Sequence, residues 1–286
     1  MNRIKNILVT GANGQLGMEF RDLQANYDAY NFLFATREEL SITEPATIEN
    51  YFLKYNIDCC INCAAYTAVD KAETDQAAAL LVNETAVANL AAICQQRNAV
   101  FFHFSTDYVF DGKASIPYRE TDLTSPVNFY GDTKLRGEKV AIQNNPASVI
   151  IRTSWVYSRF GKNFVKTMMR LMSEKAEIGV VADQFGSPTY ARDLAVAVMQ
   201  IISSNNITPG VYHYCNEGVI SWHQFAGAIQ ELLHSNCKVN AIETNAYPTP
   251  AARPQYSALD CNKICETLSL TVIPWRASLR QCIAGM

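Results

Sequence analysis

A tyrosine and a lysine four residues apart, Tyr130 and Lys134, are the pair in this sequence best suited to acid–base chemistry. Four residues make about one helical turn, so the phenol and the ammonium project from one face of a helix. A nearby cation favours the phenolate, and we therefore expect Lys134 to lower the pKa of Tyr130. Such a phenol can exchange a proton with a carbonyl or alcohol oxygen. Chance packing at helical spacing is the alternative.

A second motif lies near the N-terminus, where glycines recur at every third residue. An apolar run over residues 6–10 breaks into Gly11, Gly14 and Gly17, and a helix-compatible stretch follows over residues 17–23. In a strand–turn–helix unit such glycines allow a tight turn, approach of backbone amides to a pyrophosphate, and close packing of helix on strand. The N-terminus of the helix favours the anion. The string predicts a dinucleotide site, with a purely structural turn as the alternative.

The residues at the end of the second apolar run, Thr36 and Arg37, bear on the choice of dinucleotide. An acidic residue at this place holds the 2′-hydroxyl of NAD, whereas a basic residue suits the 2′-phosphate of NADP. Arg37 stands there, so we expect NADPH, held by charge-assisted contacts. Glu38 and Glu39 follow directly, which leaves use of NADH open. A solvated surface arginine is the alternative.

The elements that must position these residues follow from the pattern of apolar runs. Strand-like runs at residues 6–10, 32–35, 59–63, 100–105 and 148–152 alternate with helix-like runs at residues 17–23, 45–55, 77–97 and 129–142. This alternation predicts an α/β fold of Rossmann type, a doubly wound parallel sheet with helices on both faces. Ligands of such sheets bind beyond the carboxyl ends of the strands, where Gly11, Arg37, Ala64 and Thr106 fall.

Bulk properties exclude several classes of function. The chain has 286 residues, 49% of them hydrophobic, and a net charge of -3, so it offers no general attraction to nucleic acid or to an anionic membrane. We see no leader peptide and no apolar run near the roughly 20 residues that span a bilayer, and we expect a cytoplasmic protein. Of nine cysteines, Cys60 and Cys63 have redox-motif spacing, but they lie in an apolar strand where small thiols fill space.

Six further segments occur in an order that resembles the extended short-chain dehydrogenase/reductase superfamily, and within it the dTDP-4-dehydrorhamnose reductases. Together with the glycine string they cover nearly the whole chain. They are NCAAYTAVDKAE (62–73), STDYVF (105–110), YGDTKLRGE (130–138), RTSWVY (152–157), DQFGSPT (183–189) and PTPAARP (248–254).

The resemblance implies an enzyme that reduces the C4 ketone of dTDP-4-dehydro-6-deoxy-L-mannose to dTDP-L-rhamnose, a precursor of cell-surface polysaccharide. In that role Tyr130 is the proton donor, Lys134 holds the nicotinamide ribose, and Thr106 orients the carbonyl. Thr106 as a strand-end cap is the alternative. The cofactor-binding residues expected are Gly11, Asn13, Gly14, Gln15, Leu16, Gly17, Arg37, Ala64, Ala65, Tyr66, Tyr130 and Lys134.

Substrate contacts are expected from four residues: Thr106, Asp107, Trp155 and Arg253. Asp107 is a candidate partner of sugar hydroxyls, and Arg253 matches a family position near the diphosphate. Trp155 lies on the deoxysugar or the base, or else plugs a domain junction. Sugar-nucleotide dehydratases of the superfamily carry a glutamate where this chain has Tyr108, so the carboxylate pair for elimination of water is missing.

After Trp155 the alternation loosens. Helix-like runs lie at residues 163–175, 191–203 and 221–234, and strand-like runs at residues 178–181 and 211–214. As in extended family members, residues 191–214 are expected to return to the main sheet. We therefore expect a dinucleotide-binding domain of residues 1–154 and 190–214, and a smaller α/β substrate-binding domain of residues 155–189 and 215–286.

One position departs from the family. Some members bind magnesium at a dimer interface through acidic side chains, and Arg192 replaces a glutamate of that set, while Glu19 is retained. We therefore expect no metal and a monomer or weak homodimer. A non-catalytic regulatory subunit, like the beta subunit of methionine adenosyltransferase, and a sugar-nucleotide epimerase remain alternatives. The product sugar's stereochemistry and the nucleotide stay open.

Overall fold

The computed structural model describes residues 4–204 and 206–286. Positions 1–3 and 205, which fall in the expected dinucleotide-binding domain, lie outside the described residues. The strands are β1 Asn6–Thr10, β2 Asn31–Ala35, β3 Cys59–Asn62, β4 Val100–Thr106, β5 Val149–Thr153, β6 Val156–Tyr157, β7 Glu177–Val181, β8 Phe185–Gly186, β9 Thr189–Tyr190, β10 Gly210–His213, β11 Ile220–Ser221 and β12 Lys238–Ile242. The helices are α1 Gln15–Leu23, α2 Pro45–Tyr55, α3 Val69–Ala72, α4 Gln76–Leu80, α5 Ala86–Arg97, α6 Phe129–Asn144, α7 Phe164–Glu174, α8 Ala191–Ser204, α9 Trp222–Leu233, α10 Asn262–Leu268 and α11 Trp275–Ala284.

Six strands form one parallel sheet in the order β2-β1-β3-β4-β5-β10. The chain leaves β1 toward β2 and then returns to β3 on the other side of β1, so the strand order reverses between β1 and β3. In open α/β sheets ligands bind at such a switch point, outside the carboxyl ends of the strands. The expected doubly wound parallel sheet is confirmed, and so is the return of residues 191–214, since β10 pairs with β5.

The strands are apolar on both faces because each face is covered by helices. Ile7 and Val9 of β1 face a cluster that includes Leu194 of α8, whereas Leu8 faces the other way, toward Phe52 of α2. This alternation follows from the two-residue period of a strand. Burial on both sides explains why the strand-like runs are nearly continuous in hydrophobic residues.

The long apolar helix after β3 needs one correction. Residues Gln76–Arg97 form 22 helical residues with a mean hydropathy of 1.6 in their most apolar window, so the expectation that no run suits a bilayer is wrong by length and composition. In the fold, however, Ala86, Leu90 and Cys94 of α5 pack in the cluster that also buries Phe52. Such a buried core helix passes the same test. A π-helical segment, Leu81–Thr85, joins α4 to α5.

The second half of the chain has its own apolar cluster. It gathers Val165 and Met168 of α7, Phe225 of α9 and Leu279 of α11 around the parallel pair β7 and β12. Helix α9 begins at a capping box, in which the Ser221 hydroxyl accepts from the Gln224 N–H and the Gln224 side chain accepts from the Ser221 N–H. The pattern did not predict α3, α11 or β12. The domain bounds stay a prediction.

Candidate active site

A cleft of about 900 Å³ opens at the carboxyl ends of the sheet. Its volume suits a cofactor-sized ligand. Eleven of the twelve residues expected to bind cofactor line it; they are Gly11, Asn13, Gly14, Gln15, Leu16, Arg37, Ala64, Ala65, Tyr66, Tyr130 and Lys134. Gly17, the twelfth, lies beneath the turn rather than on the cleft wall.

The glycine turn leaves no room for side chains. Gly11 has a φ of 61°, and a Cβ on it would lie 2.6 Å from the Ala64 nitrogen. A Cβ on Gly17 would lie 2.5 Å from the Gly11 carbonyl oxygen, so α1 packs directly on the turn. Gly14, the N-cap of α1, supplies no side-chain cap. The first amides of α1 therefore remain available to an anion, as a pyrophosphate site requires.

Arg37 lines the far end of the cleft and is exposed. The Glu39 carboxylate beside it accepts from the Thr36 N–H at 2.8 Å, so it caps the turn after β2. Glu38 keeps its charge, since hydrogen bonds from its own backbone and from Thr36 lower its pKa. A basic residue with two acidic neighbours therefore lies at the cleft, and its contact with a 2′-phosphate stays a prediction.

Asn83 is a cleft-shaping residue that the pattern did not reveal. Its Oδ1 accepts from the Tyr66 N–H at 2.8 Å, and its Nδ2 donates to the Tyr66 carbonyl at 3.1 Å. The amide thus pairs with the backbone of the loop after β3. It lies in the π-helical segment, a distortion frequent at functional sites. A run of polar residues, Asn83, Glu84 and Thr85, within a largely apolar helical stretch was a signal that could have found it.

Tyr130 lies in the first turn of α6, whose start is tightly fixed. The Asn128 side chain caps the helix, with Oδ1 accepting from the Gly131 N–H at 2.8 Å and Nδ2 donating to the Ala252 carbonyl at 2.8 Å. A Cβ on Gly131 would lie 2.2 Å from the Tyr108 carbonyl oxygen, so only glycine permits this approach. The phenol ring of Tyr130 meets the Tyr108 ring edge-on, with the centroids 6.1 Å apart.

The pKa of Tyr130 moves opposite to the sequence-based expectation. Burial, followed by the charge of Asp107, raises the pKa, and a hydrogen bond with Thr106 offsets only part of the rise. The expected lowering by Lys134 is therefore wrong for this structure. A raised pKa keeps the phenol protonated at neutral pH, which is the state a proton donor needs.

Lys134 lies one turn further along α6 and is buried. Its Nζ donates to the Phe104 carbonyl at 2.6 Å and lies 3.5 Å from His103 Nε2. Burial lowers the pKa of Lys134 to about 8, and the nearby Glu138 carboxylate opposes that shift. The amine at the cleft is therefore poised between its charged and neutral forms in mildly alkaline solution.

Thr106 ends β4 and caps the turn that follows it, which is the alternative weighed for it, while its role in orienting a carbonyl stays a prediction. Its Oγ1 accepts from the Tyr108 N–H at 3.2 Å, which caps the short turn Asp107–Val109. The same hydroxyl donates to Asp107 Oδ1 at 3.0 Å and contacts Tyr130. Thr106 is thus a cap whose oxygen also lies beside the acid–base pair.

Asp107 is a buried carboxylate with spare acceptor capacity. Desolvation raises its pKa to about 6, although hydrogen bonds from Ser257 and Thr106 lower it. Within the described residues its Oδ2 has no hydrogen-bond partner. A buried acceptor without a partner is costly, and it suits the expected contact with a substrate hydroxyl.

Arg253 approaches the same region from the second half of the chain. Its Nη2 donates to Asp70 Oδ1 at 3.0 Å, and its Nη1 donates to the Ala251 carbonyl at 2.9 Å. Asp70 also accepts from the Ala251 N–H at 3.2 Å, so it ties the segment to α3. The cation is held near Tyr108: burial and the charge of Asp107 raise the pKa of Tyr108, and the charge of Arg253 offsets part of that rise.

Trp155 lies in the junction between the sheet and the second apolar cluster. Its backbone has a φ of 48°, rare for a bulky residue. Its ring stacks on Trp222 with the centroids 3.5 Å apart, and a Cβ on Gly186 would lie 2.7 Å from the Trp155 ring, so only glycine leaves room for it. This is the junction packing weighed as the alternative. The substrate contact of Trp155 stays a prediction.

A buried ion pair supports β4, β5 and α6 beneath the site. Arg152 donates to Glu138 through Nη2 at 2.7 Å and through Nε at 2.9 Å, and the Ser105 hydroxyl donates to the same carboxylate at 2.5 Å. Both charges are almost fully buried. Such a bidentate pair fixes orientation strongly. Both residues lie in segments that carried the family resemblance, but nothing in the sequence indicated their role.

The cluster around Glu19 does not suit a divalent cation. Arg192 donates to Asp22 and lies 3.7 Å from Glu19, and Arg159 pairs with Asp22 at 2.6 Å. Glu19 Oε1 accepts from the Ser158 hydroxyl. Two guanidinium groups thus face these carboxylates where a metal would need free oxygen ligands. Among the described residues no group of three acidic, histidine or cysteine side chains is arranged for a metal ion.

The parallel sheet, the glycine turn over the cleft and the helical Tyr130/Lys134 pair at its rim define an extended short-chain dehydrogenase/reductase. A family model described as the RmlD substrate binding domain matches residues 5–286. The chain belongs to the family of dTDP-4-dehydrorhamnose reductases. It is 41% identical over 295 residues to the member from Burkholderia thailandensis, covering 98% of each chain, and 40% identical over 284 residues to that from Aggregatibacter actinomycetemcomitans, covering 96% of this chain and 97% of that one.

A solved structure agrees over the whole length. The dTDP-4-dehydrorhamnose reductase from Bacillus anthracis, in complex with NADP, aligns with a TM-score of 0.95 at 35% identity, covering 99% of this chain and 100% of the other. The family resemblance that was inferred from the ordered motifs is therefore confirmed. The roles of individual site residues stay predictions.

Proposed function

We propose that the chain reduces the C4 ketone of dTDP-4-dehydro-6-deoxy-L-mannose to dTDP-L-rhamnose, with NADPH as the preferred cofactor. The observation that carries this proposal is the placement of Tyr130 and Lys134 on the wall of a cleft that also runs past the glycine turn and Arg37. Named relatives across the full length support the same reaction. The product supplies dTDP-rhamnose for cell-surface polysaccharide.

A dinucleotide held in the cleft would supply the hydride. Its pyrophosphate would lie on the amides that follow Gly14, and a 2′-phosphate would lie at Arg37. The relative from Bacillus anthracis was solved with NADP, which supports NADPH, while Glu38 and Glu39 leave room for NADH. Lys134 would hold the ribose hydroxyls near the nicotinamide.

The chain's own residues handle the proton. Reduction of a ketone places negative charge on oxygen, so a donor must deliver a proton there. Tyr130 keeps its proton because its pKa is raised, and Thr106 lies against it to orient the same oxygen. Asp107 would accept from a sugar hydroxyl through its unpartnered Oδ2, and Arg253 would face the diphosphate.

The remaining features of the proposal concern assembly and place. We propose the domain bounds given above, no metal, and a monomer or weak homodimer that works in the cytoplasm without nucleic acid or membrane. All nine cysteines lie within the described residues and are free thiols. Free thiols are usual in a reducing compartment.

The test is nicotinamide absorbance with dTDP-4-dehydro-6-deoxy-L-mannose, combined with analysis of the sugar formed. Stoichiometric oxidation of NADPH with appearance of dTDP-L-rhamnose is expected. An epimerase would interconvert sugars without net NADPH oxidation, and a regulatory subunit would show neither change. Either of those results with correctly folded protein would overturn the proposal.

A further inference from the structure

A row of buried polar side chains crosses the sheet from the glycine turn to Lys134. Thr10, Asn62 and His103 are register partners on the neighbouring strands β1, β3 and β4. The Thr10 hydroxyl donates to Asn62 Oδ1 at 2.7 Å, Asn62 Nδ2 meets His103 Nδ1 at 3.1 Å, and His103 Nε2 lies 3.5 Å from Lys134 Nζ. All four side chains are almost fully inaccessible to solvent. The reaction as described above uses only the last of them.

The orientation of the Asn62 amide follows from a backbone donor. The Ala64 N–H points to Asn62 Oδ1 at 3.3 Å, and a backbone N–H can only donate. The atom facing Ala64 must therefore be the amide oxygen, and the Thr10 hydroxyl can donate to the same oxygen. The amide nitrogen is left facing His103.

The orientation of Asn62 in turn fixes the His103 tautomer. An amide N–H requires an acceptor, so His103 Nδ1 must be unprotonated. Burial and the charge of Lys134 hold the pKa of His103 well below its usual range, which keeps the ring neutral. A neutral imidazole carries one proton. That proton must lie on Nε2, the atom nearest Lys134 Nζ.

We propose that His103 is a positioning residue of the active site: held by Asn62 as the Nε2–H tautomer, it directs a donor at the Lys134 amine and favours the neutral amine over the ammonium. An ammonium has no lone pair to accept this hydrogen, whereas a neutral amine has one. The consequence for catalysis rests on the proposed reductase function. The assignment of the tautomer is independent of that function.

The other groups that face Lys134 either favour its ammonium form or do not discriminate between the ammonium and the neutral amine. From its own helix, Glu138 favours the ammonium, but Arg152 of β5 neutralises much of that charge at 2.7 Å. The Phe104 carbonyl of β4 accepts from Nζ in either state. Tyr130 is protonated and neutral, since its pKa is raised. His103 is therefore the neighbour that opposes the ammonium without carrying a charge.

The structure contains an internal control for the tautomer. His213 Nδ1 faces the Tyr118 carbonyl at 3.1 Å, and its Nε2 faces Arg152 Nη1 at 3.4 Å. A carbonyl accepts and a guanidinium donates, so this second buried histidine must be the Nδ1–H tautomer. The two buried rings should thus carry their protons on opposite nitrogens.

The first experiment is long-range ¹H–¹⁵N NMR on histidine-labelled protein, without cofactor, near neutral pH. The chain has 4 histidines, so single substitutions assign the signals. We expect His103 as Nε2–H and His213 as Nδ1–H. A His103 ring protonated on Nδ1, or on both nitrogens, would overturn the proposal even if no variant folds.

The second experiment compares the pH dependence of turnover in His103→Phe and His103→Gln. Phe keeps an aromatic ring beside Phe101 but removes the donor, so the alkaline limb of kcat, where the ammonium is lost, should move up by on the order of one pH unit. A glutamine side chain at this position can accept from Asn62 Nδ2 and donate to Lys134 Nζ. Because the Asn62 amide nitrogen faces it, the glutamine oxygen must point to Asn62 and the glutamine nitrogen to Lys134. The Gln variant should therefore restore the original limb.

The matched control is His223→Phe, because His223 lies on α9 in the second half of the chain, with its Nε2 3.3 Å from the Val239 carbonyl. The alkaline limb of kcat in this control variant should stay unchanged. An unshifted limb in folded His103→Phe, or the same shift in the Gln variant, would show that His103 only fills space. Lack of any reductase activity in the unaltered protein would refute the proposed function instead, and the NMR result would still decide the tautomer.

Discussion

Replacing Tyr130 by phenylalanine removes one oxygen and leaves the ring packing largely intact. The ring meets Tyr108 edge-on, a contact that phenylalanine can keep, and the hydroxyl's contact is with Thr106. The loss is therefore confined to the proton donor and one hydrogen bond. Tyr130→Phe should fold and still bind NADPH.

The size of the effect separates catalysis from binding. Loss of a general acid lowers the rate by about 10²- to 10⁴-fold, or about 3 to 5 kcal/mol in the activation free energy. Loss of one hydrogen bond costs only about 0.5–1.5 kcal/mol, so the Kd for NADPH should rise by less than about tenfold. Because the raised pKa of Tyr130 holds its proton at neutral pH, the whole population of enzyme loses a donor in the variant.

The assay is single-turnover oxidation of NADPH with the dTDP-sugar, with cofactor binding measured separately by nicotinamide fluorescence. Tyr212→Phe is a matched control, since the Tyr212 hydroxyl donates to the Thr208 carbonyl at 3.0 Å on the outer strand β10. It should turn over normally. A Tyr130→Phe rate within about threefold of the unaltered enzyme would remove Tyr130 from the mechanism and with it the main support for the proposed reaction.

Four further outcomes are expected. Arg37→Ala should raise the Michaelis constant for NADPH much more than for NADH, and equal changes would make Arg37 a surface residue. Folding raises the pKa of Asp107 from 3.8 to about 6, so ionisation of this carboxyl lowers the free energy of unfolding above about pH 6 and has no effect on it below about pH 4. Asp107→Asn should therefore raise the free energy of unfolding, measured in urea, by up to about 3 kcal/mol at neutral pH only. Arg152→Met should lower the free energy of unfolding by about 3–5 kcal/mol, because Glu138 is left buried and unpaired. Adding Glu138→Leu to that variant should restore most of the lost stability. Activity should survive EDTA, and magnesium should not change the oligomeric state by light scattering, because Arg192 faces the carboxylates; reversible loss on chelation would contradict this.

The main sheet could be predicted because its strands are buried on both faces. Continuous apolar runs separated by helical periods leave few other folds, and β1 and α2 have the bounds that the pattern predicted. The smaller half was harder because its ladders are short. Strands β6, β8, β9 and β11 have two residues each, too few for an alternation to show in the sequence.

Within the site, spacing along the chain predicted which residues meet the cleft but not their electrostatic surroundings. The four-residue spacing of Tyr130 and Lys134 correctly suggested one helical face. It could not show that Lys134 Nζ turns to the Phe104 carbonyl, nor that Asp107 lies near enough to raise the pKa of Tyr130. Both effects depend on burial depth and on neighbours from β4 and the turn that follows it, which a pattern of residue types does not contain.

Strand register supplies the information that spacing lacks. Thr10, Asn62 and His103 are far apart in the sequence, and each resembles an isolated polar residue within or at the end of an apolar run. Pairing β1 with β3 and β3 with β4 in parallel places them side by side on one face of the sheet. A buried polar group without a partner is costly, so three in one row must satisfy one another, and the amine at the end of the row must accept whatever proton the last member presents. The protonation of Lys134 is thus tied, through the pairing of three strands, to the same turn that would hold the cofactor pyrophosphate.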